Sequence, residues 1–246
     1  MRLRAVAFDY RDTLAEFRWD EALWRRGVEA LVIGAGGDPG AAGRVGEGLR
    51  RRFTRTKAGP AELDYPAAVV DALREAGIDA APAAVRRGIE AEYRAWAPAR
   101  HVHPDTPALL ARVRGLGLRS AVAANTFDPP GLFRADLAEQ GIGGRVDAVV
   151  LSCEVGVRKP DPRFFAAVAE ALEVAPGEAM FVGDSMRDDV LGPARAGMHT
   201  CLAGWYRQDP EASGLFPALR RCVKTVCHAW RHSDLKHYCK KVTTKK

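Results

Sequence analysis

The chain has 246 residues, 47% of them hydrophobic and 28% charged, the proportions of a globular protein built as one large domain or as a core with an inserted second one. No apolar run approaches the ~18 residues needed to cross a bilayer, and the stretch behind Arg2 and Arg4 is only Ala5-Val6-Ala7-Phe8, short of the roughly 7–15 residues of a secretory h-region, so no membrane partner and a cytoplasmic location are expected. The formal charge of +6 is concentrated in residues 220–246, where nine Lys/Arg face one Asp; the remaining −2 gives the folded body no basic face for nucleic acid.

Along the chain, residues 4–8 form a short apolar run that stops at Asp9, as a buried parallel strand does. Residues 16–99 differ: amphipathic helices are predicted over 19–33, 41–53, 66–76 and 82–96, with Pro82 suited to a first helical position and no strand among them. A helix over 106–116 carries Leu109, Leu110, Val113 and Leu116 at helical spacing, and one over 162–172 carries Phe164, Phe165, Val168, Ala169 and Leu172. Between and after these helices lie apolar runs at 120–124, 148–152, 179–183 and 199–203. Strands alternating with helices predict an α/β fold, a doubly wound parallel sheet of five strands. The expected organisation is a Rossmann-like core of 1–15 and 100–215, an all-helical cap of 16–99 and a basic tail of 216–246. Ligand sites in open α/β sheets lie beyond the carboxyl ends of the strands, so the inserted helices would cover the site as a lid.

Five cysteines form no disulfide framework, and Cys153 and Cys201 read as small core residues in strand-like surroundings. The tail holds six of the eight lysines, and its Cys222, Cys227, His228 and His232 lack the loop that separates the ligand pairs of a zinc site. It reads as a basic appendage on the body. The run Arg50-Arg51-Arg52, with Arg55 and Lys57, reads as a solvated helix face.

Four polar clusters follow the predicted strands: Asp9-Tyr10-Arg11-Asp12-Thr13-Leu14, then Ala124-Asn125-Thr126, then Arg158-Lys159-Pro160-Asp161-Pro162, then Gly183-Asp184-Ser185-Met186-Arg187-Asp188-Asp189. Together they suit anion chemistry with a metal. Asp9, Asp184 and Asp189 offer hard oxygen ligands that fit Mg²⁺, and crowded carboxylates need a neutralising cation. Lys159 supplies a compact positive charge for a carboxylate and a phosphate oxygen. Asp188, beside Asp189, reads as a first-turn helix residue.

These clusters resemble, in order and spacing over roughly residues 1–205, the four motifs of the haloacid dehalogenase superfamily, and the helical insertion resembles that superfamily's first type of cap. The resemblance implies a magnesium-dependent hydrolase, of the phosphatase kind, acting on a small phosphorylated metabolite. It implies that Asp9 is the nucleophile, becoming an aspartyl-phosphate while also holding Mg²⁺. Asp184 would be a direct ligand, Asp189 would hold a metal-bound water or orient Lys159, and the backbone carbonyl of Arg11 would complete the ligands. Thr13, Asn125 and Thr126 would contact the substrate. Strand one would lie centrally, between the strands that end at Asn125 and Asp184.

Two positions depart from the pattern. Arg11 stands where the superfamily has its acid/base aspartate, and a guanidinium stays protonated at any working pH. Ala124 stands where a hydroxyl is usual. Asp12 takes a position that is usually glycine and is a weak candidate for a displaced acid. Loss of general acid catalysis is worth roughly 10²–10⁴ in rate. The alternative is therefore a catalytically weak relative that binds a phosphorylated ligand or a protein partner. Carbon–halogen hydrolysis, which needs no metal in this superfamily, ranks lower because the Gly183–Asp189 acidic motif is intact.

Overall fold

The computed structural model describes residues 3–56 and 59–204; Lys57 and the basic tail with its Cys/His set lie outside the described residues. Five strands, β1 (Ala5–Phe8), β4 (Arg119–Ala124), β5 (Ala148–Leu151), β6 (Ala179–Gly183) and β7 (His199–Leu202), form one parallel sheet in the order β5-β4-β1-β6-β7. Phe8 is in register with Val122 on one side and Val182 on the other, so β1 is central, as expected. Its four residues are all buried because both faces of the sheet are covered.

The two faces are filled differently. Val6, Phe8, Val122 and Val182 meet Leu110 and Val113 of α5 (Thr106–Gly115) and Phe133 and Leu137 of α6 (Pro130–Glu139). On the opposite face, the small side chains of Ala5, Ala7, Ala121 and Ala123 leave room for Phe164 and Phe165, which project from α8 (Pro162–Ala171). Bulk on the helix thus complements its lack on the strands, the condition for close packing. Helix α8 starts where the sequence expects, with Pro162 in the first turn and Asp161 accepting a hydrogen bond from the Arg163 amide at 2.9 Å. Helix α6 was not anticipated, because Pro129-Pro130-Gly131 reads as loop and its burial rests on only Phe133 and Leu137. Leu116 is 40% exposed, so the apolar stripe of α5 ends at Val113. Cys153 lies in a helical turn, α7 (Ser152–Val155), rather than continuing a strand, and both it and Cys201 are only half-buried.

The insertion contains α1 (Glu21–Gly34), α2 (Ala42–Thr56), α3 (Tyr65–Glu75) and α4 (Pro82–Ala95) around a separate core that includes Leu31, Val45, Leu49, Val69 and Leu73. The segments by which the chain leaves and rejoins the sheet layer pair as an antiparallel ribbon, β2 (Ala15–Phe17) with β3 (Arg100–Val102). Three residues per strand are too few for alternation to register in sequence, which is why no strand was predicted there. Among the described residues no helix is long and apolar enough to cross a membrane.

Helices α1 and α4 touch backbone to backbone at Gly34 and Gly88. A Cβ on Gly88 would stand 2.5 Å from the Leu31 carbonyl oxygen, and one on Gly34 2.7 Å from the Gly88 Cα. Backbone cannot swing aside as a side chain can. Gly88→Ala is therefore expected to lose about 1–3 kcal/mol to overpacking, more than the ~1 kcal/mol gained in helix propensity. The thermal midpoint should fall by about 2–4 °C for each kcal/mol of net loss; an unchanged or higher midpoint would show that the helices separate freely.

Candidate active site

The chain order β1, β4, β5 builds outward on one side of β1, and β6, β7 on the other. The loops after β1, β4 and β6 therefore meet at a topological switch point. Three of the four polar clusters follow these strands directly, and the fourth enters from the segment before α8.

The first loop turns tightly. The Leu14 and Ala15 amides both donate to the Tyr10 carbonyl at 3.0 Å. Asp12 sits in the left-handed region with φ 57°, which accounts for glycine being usual there. Its Oδ1 accepts from the Phe17 amide at 3.2 Å, so this carboxylate braces the turn. Tyr10 pins the loop to α6 by a 2.7 Å hydrogen bond to Gln140 and an edge contact with Phe133.

Lys159 lies between Asp9 and Asp189, its Nζ 2.6 Å from Asp9 Oδ1 and 2.7 Å from Asp189 Oδ1, with only 2% of its side chain exposed. Asp189 belongs to a π-helical stretch, Met186–Leu191, capped by Ser185, whose Oγ accepts from the Asp188 amide. Asp188 thus takes the first-turn place expected of it. The wide turn brings Asp189 back against β6, where its Oδ2 accepts from the Ser185 amide at 3.0 Å. Residue 183 has to be glycine, because any Cβ there would collide with the Asp189 carboxylate. One carboxylate oxygen from each of Asp9, Asp184 and Asp189 falls within a 4.8 Å cluster.

Three carboxylates against one ammonium leave excess negative charge in a buried place. Burial pushes the Asp9 carboxyl up to about 7; Lys159 opposes the rise, while Asp189 and Asp184 add to it. Burial likewise takes Asp184 to about 6, helped by Asp189 and Asp12. For Lys159 burial acts against the charged form, but Asp189 and Asp9 outweigh it and hold the amine above the ordinary lysine value. A hard cation among the three carboxylates would remove their mutual repulsion, so the donor set fits Mg²⁺ in both charge and chemistry.

Other residues singled out from sequence take different tasks. Asn125 spends both ends of its amide on the backbone of Lys159: Oδ1 accepts from the Lys159 amide at 2.7 Å and Nδ2 donates to its carbonyl at 3.2 Å. Its side chain thereby fixes the backbone of Lys159. The Thr126 hydroxyl donates to Asp128 Oδ2 at 2.6 Å, while its amide donates to Ser152 Oγ at 2.8 Å. Thr13 is buried in the first loop. The guanidinium of Arg11 lies over the Phe17 ring, 4.8 Å from its centroid, and pairs with Asp128 at 3.6 Å, not with Asp9. Arg50 is no simple solvated side chain, for it stacks on Trp24 at 4.7 Å and pairs with Glu21 at 2.7 Å.

Sequence reading missed a clamp between the insertion and the sheet. Ser152 Oγ donates to Glu62 Oε2, while the Glu62 amide donates to the Gly156 carbonyl at 3.3 Å. Nothing local marks Glu62 or Ser152, because each acquires its partner only through tertiary contact.

A family model of haloacid dehalogenase-like hydrolases matches residues 3–197. The chain belongs to that family. A phosphoserine phosphatase of Thermus thermophilus is 36% identical to this hydrolase over 200 residues, 78% of this chain and 68% of that one. A glyceraldehyde 3-phosphate phosphatase of Methanopyrus kandleri is 28% identical over 204 residues, 80% of this chain and 82% of that one. Among solved structures, a 2-haloacid dehalogenase from Pseudomonas syringae superposes with a TM-score of 0.62 at 21% identity, covering 93% of this chain and 99% of that one. At that identity the likeness speaks for the fold alone, which haloacid dehalogenase-like hydrolases of different chemistry share.

Proposed function

We propose that this hydrolase cleaves small phosphomonoesters through an aspartyl-phosphate on Asp9, with Mg²⁺ held by Asp9, Asp184 and the Arg11 carbonyl, and by Asp189 directly or through water. The observation that carries the reading is the cluster of three carboxylates at the ends of β1 and β6 around the single ammonium of Lys159. Two relatives that match most of this chain are named phosphatases of small phosphorylated metabolites, which favours phosphoryl over halide chemistry.

In this mechanism Mg²⁺ supplies charge neutralisation among the carboxylates and on the phosphoryl oxygens. Lys159 favours the ionised form of Asp9 against its burial and holds one of its oxygens, leaving the other to attack phosphorus. The bond from phosphorus to the ester oxygen breaks, and the departing alkoxide takes its proton from water, since the Arg11 guanidinium does not release one. Water then attacks the phosphorus of the aspartyl-phosphate, releasing inorganic phosphate and restoring the Asp9 carboxylate. Asn125 serves both steps by fixing the backbone of Lys159.

The test couples turnover to metal binding. The parent protein should release phosphate from acetyl phosphate with Mg²⁺ present and lose this activity in a chelator. Asp184→Asn should bind Mg²⁺ roughly tenfold or more weakly in a calorimetric titration, because an amide replaces a carboxylate at a hard cation. Equal Mg²⁺ binding by variant and parent would remove Asp184 from the ligand set. Binding of phosphorylated compounds with no release of phosphate would favour the binding-only alternative.

A further inference from the structure

A cavity of about 470 Å³ lies where the helical insertion meets the sheet layer, and Tyr10 and Arg11, the two residues that follow Asp9, form part of its wall. A smaller cavity of about 100 Å³ shares Arg11, Phe53 and Phe127 with it and reaches Asn125 and Arg158. The larger space therefore adjoins the loop that follows Asp9, and the smaller one joins it to the segment next to Lys159.

Its walls are mainly aromatic: Phe17, Trp19, Trp24, Phe53, Trp96 and Phe127 all face it. Phe53 and Phe127 are stacked, with centroids 4.8 Å apart and planes 13° from parallel. Trp19 stands at the rim, 5.1 Å from Trp96 and 5.7 Å from Trp24, yet it is 54% exposed. An exposed tryptophan beside an aromatic cleft is a ready contact for an incoming ring.

The charged side chains along the walls already have partners. Arg50 holds Glu21, with Nη2 2.7 and 2.8 Å from its two carboxylate oxygens. Arg100 pairs with Asp136 at 2.9 Å, Arg11 with Asp128 at 3.6 Å and Glu16 with Arg18 at 2.8 Å. Glu92 accepts from Trp96 Nε1 at 2.8 Å. These pairs already neutralise one another, so the walls offer a charged group little net attraction, and a polyol would find few partners on aromatic walls.

We infer that the cavity is a leaving-group subsite for an uncharged planar ring, so that the preferred substrates are phosphomonoesters of ring-bearing alcohols. This rests on the phosphatase reading and narrows it, setting the chain apart from phosphatases of charged amino-acid or polyol phosphates. The probes are 2-phenylethyl phosphate and ethyl phosphate, whose alkoxide leaving groups have similar basicity and which differ in the ring. The ring compound should show the higher kcat/KM by roughly tenfold, carried mainly by KM, the scale expected for one buried ring with aromatic neighbours. Trp19→Ala, at an exposed rim position, should reduce that ratio several-fold.

Equal kcat/KM for the two probes, or a higher value for O-phosphoserine than for 2-phenylethyl phosphate, overturns the subsite while leaving phosphatase activity standing. If none of the three is hydrolysed, a tryptophan fluorescence titration decides the matter independently. Tighter binding of 2-phenylethyl phosphate than of ethyl phosphate, weakened in Trp19→Ala, then supports the subsite even as the phosphatase reading fails. Equal binding of the two overturns it.

Discussion

Asp9→Asn is expected to abolish phosphate release, by about 10⁴-fold or more, while leaving the protein as stable as its parent or more so. The loss follows from removing the attacking oxygen, for a carboxamide is no nucleophile toward phosphorus and a nucleophile acts as a unit with its supporting groups. The stability follows from the same geometry. Asp9 is 7% exposed and shares its surroundings with Asp184 and Asp189, and burial already drives its carboxyl up to about 7. An uncharged amide removes one of three crowded carboxylates, and Lys159 keeps its 2.7 Å partner in Asp189. Functional groups held against their own repulsion are where stability and activity trade against each other. Two measurements check this: phosphate release under saturating Mg²⁺, and thermal midpoints of both proteins at pH 8. Retained turnover would place the nucleophile elsewhere, and a midpoint several degrees lower would make Asp9 a structural anchor. Parent protein quenched during turnover of a labelled substrate should also carry covalent label that Asp9→Asn lacks.

The parts legible in sequence were those with a local physical signature. The five core strands stood out as short apolar runs because a parallel sheet covered on both faces gives no alternation to confuse with anything else. Asp9, Asp184 and Asp189 were legible because strand ends in an α/β sheet converge, so residues 175 or more apart in the chain still meet. What could not be read was orientation. Asn125 and Thr126 fall in a recognisable motif, yet their bonds to the backbone of Lys159 and the side chain of Asp128 are set by tertiary loop geometry that the motif does not encode. Arg11 stands at the acid/base position of the motif, but its ring contact with Phe17 and pairing with Asp128 place its side chain in the wall shared by two cavities. The aromatic cleft was hidden for a different reason. Trp19, Trp24 and Trp96 stand at the two ends of the insertion, and only the folding of α1 against α4 brings them together.

Glu92 carries the second large expectation, and it concerns pH. This residue of α4 is 7% exposed, accepts from Trp96 Nε1 at 2.8 Å and is also hydrogen-bonded by Tyr65. Burial raises its carboxyl from 4.5 to about 7, with Asp128 adding to the rise and the hydrogen bonds from Trp96 and Tyr65 opposing it. The folded protein thus retains a proton that the unfolded chain releases in the same interval. Between about 4.5 and 7 the unfolded state binds fewer protons, so stability from this site is greatest below 4.5 and declines as pH rises through 7. Above 7 the decline is complete, at ~3 kcal/mol by the conversion of about 1.4 kcal/mol per pKa unit. Glu92→Gln removes the titration while its amide oxygen can still accept from Trp96. The variant should match its parent near pH 4.5 and exceed it at pH 8.5, by roughly 2–4 °C in midpoint per kcal/mol. Asp9 and Asp184 titrate in both proteins, so their contributions cancel in the difference between the two curves. A difference that stays constant from pH 4.5 to 8.5 would mean that Glu92 remains ionised in the folded state, held there by Trp96, Tyr65 and Arg100 together.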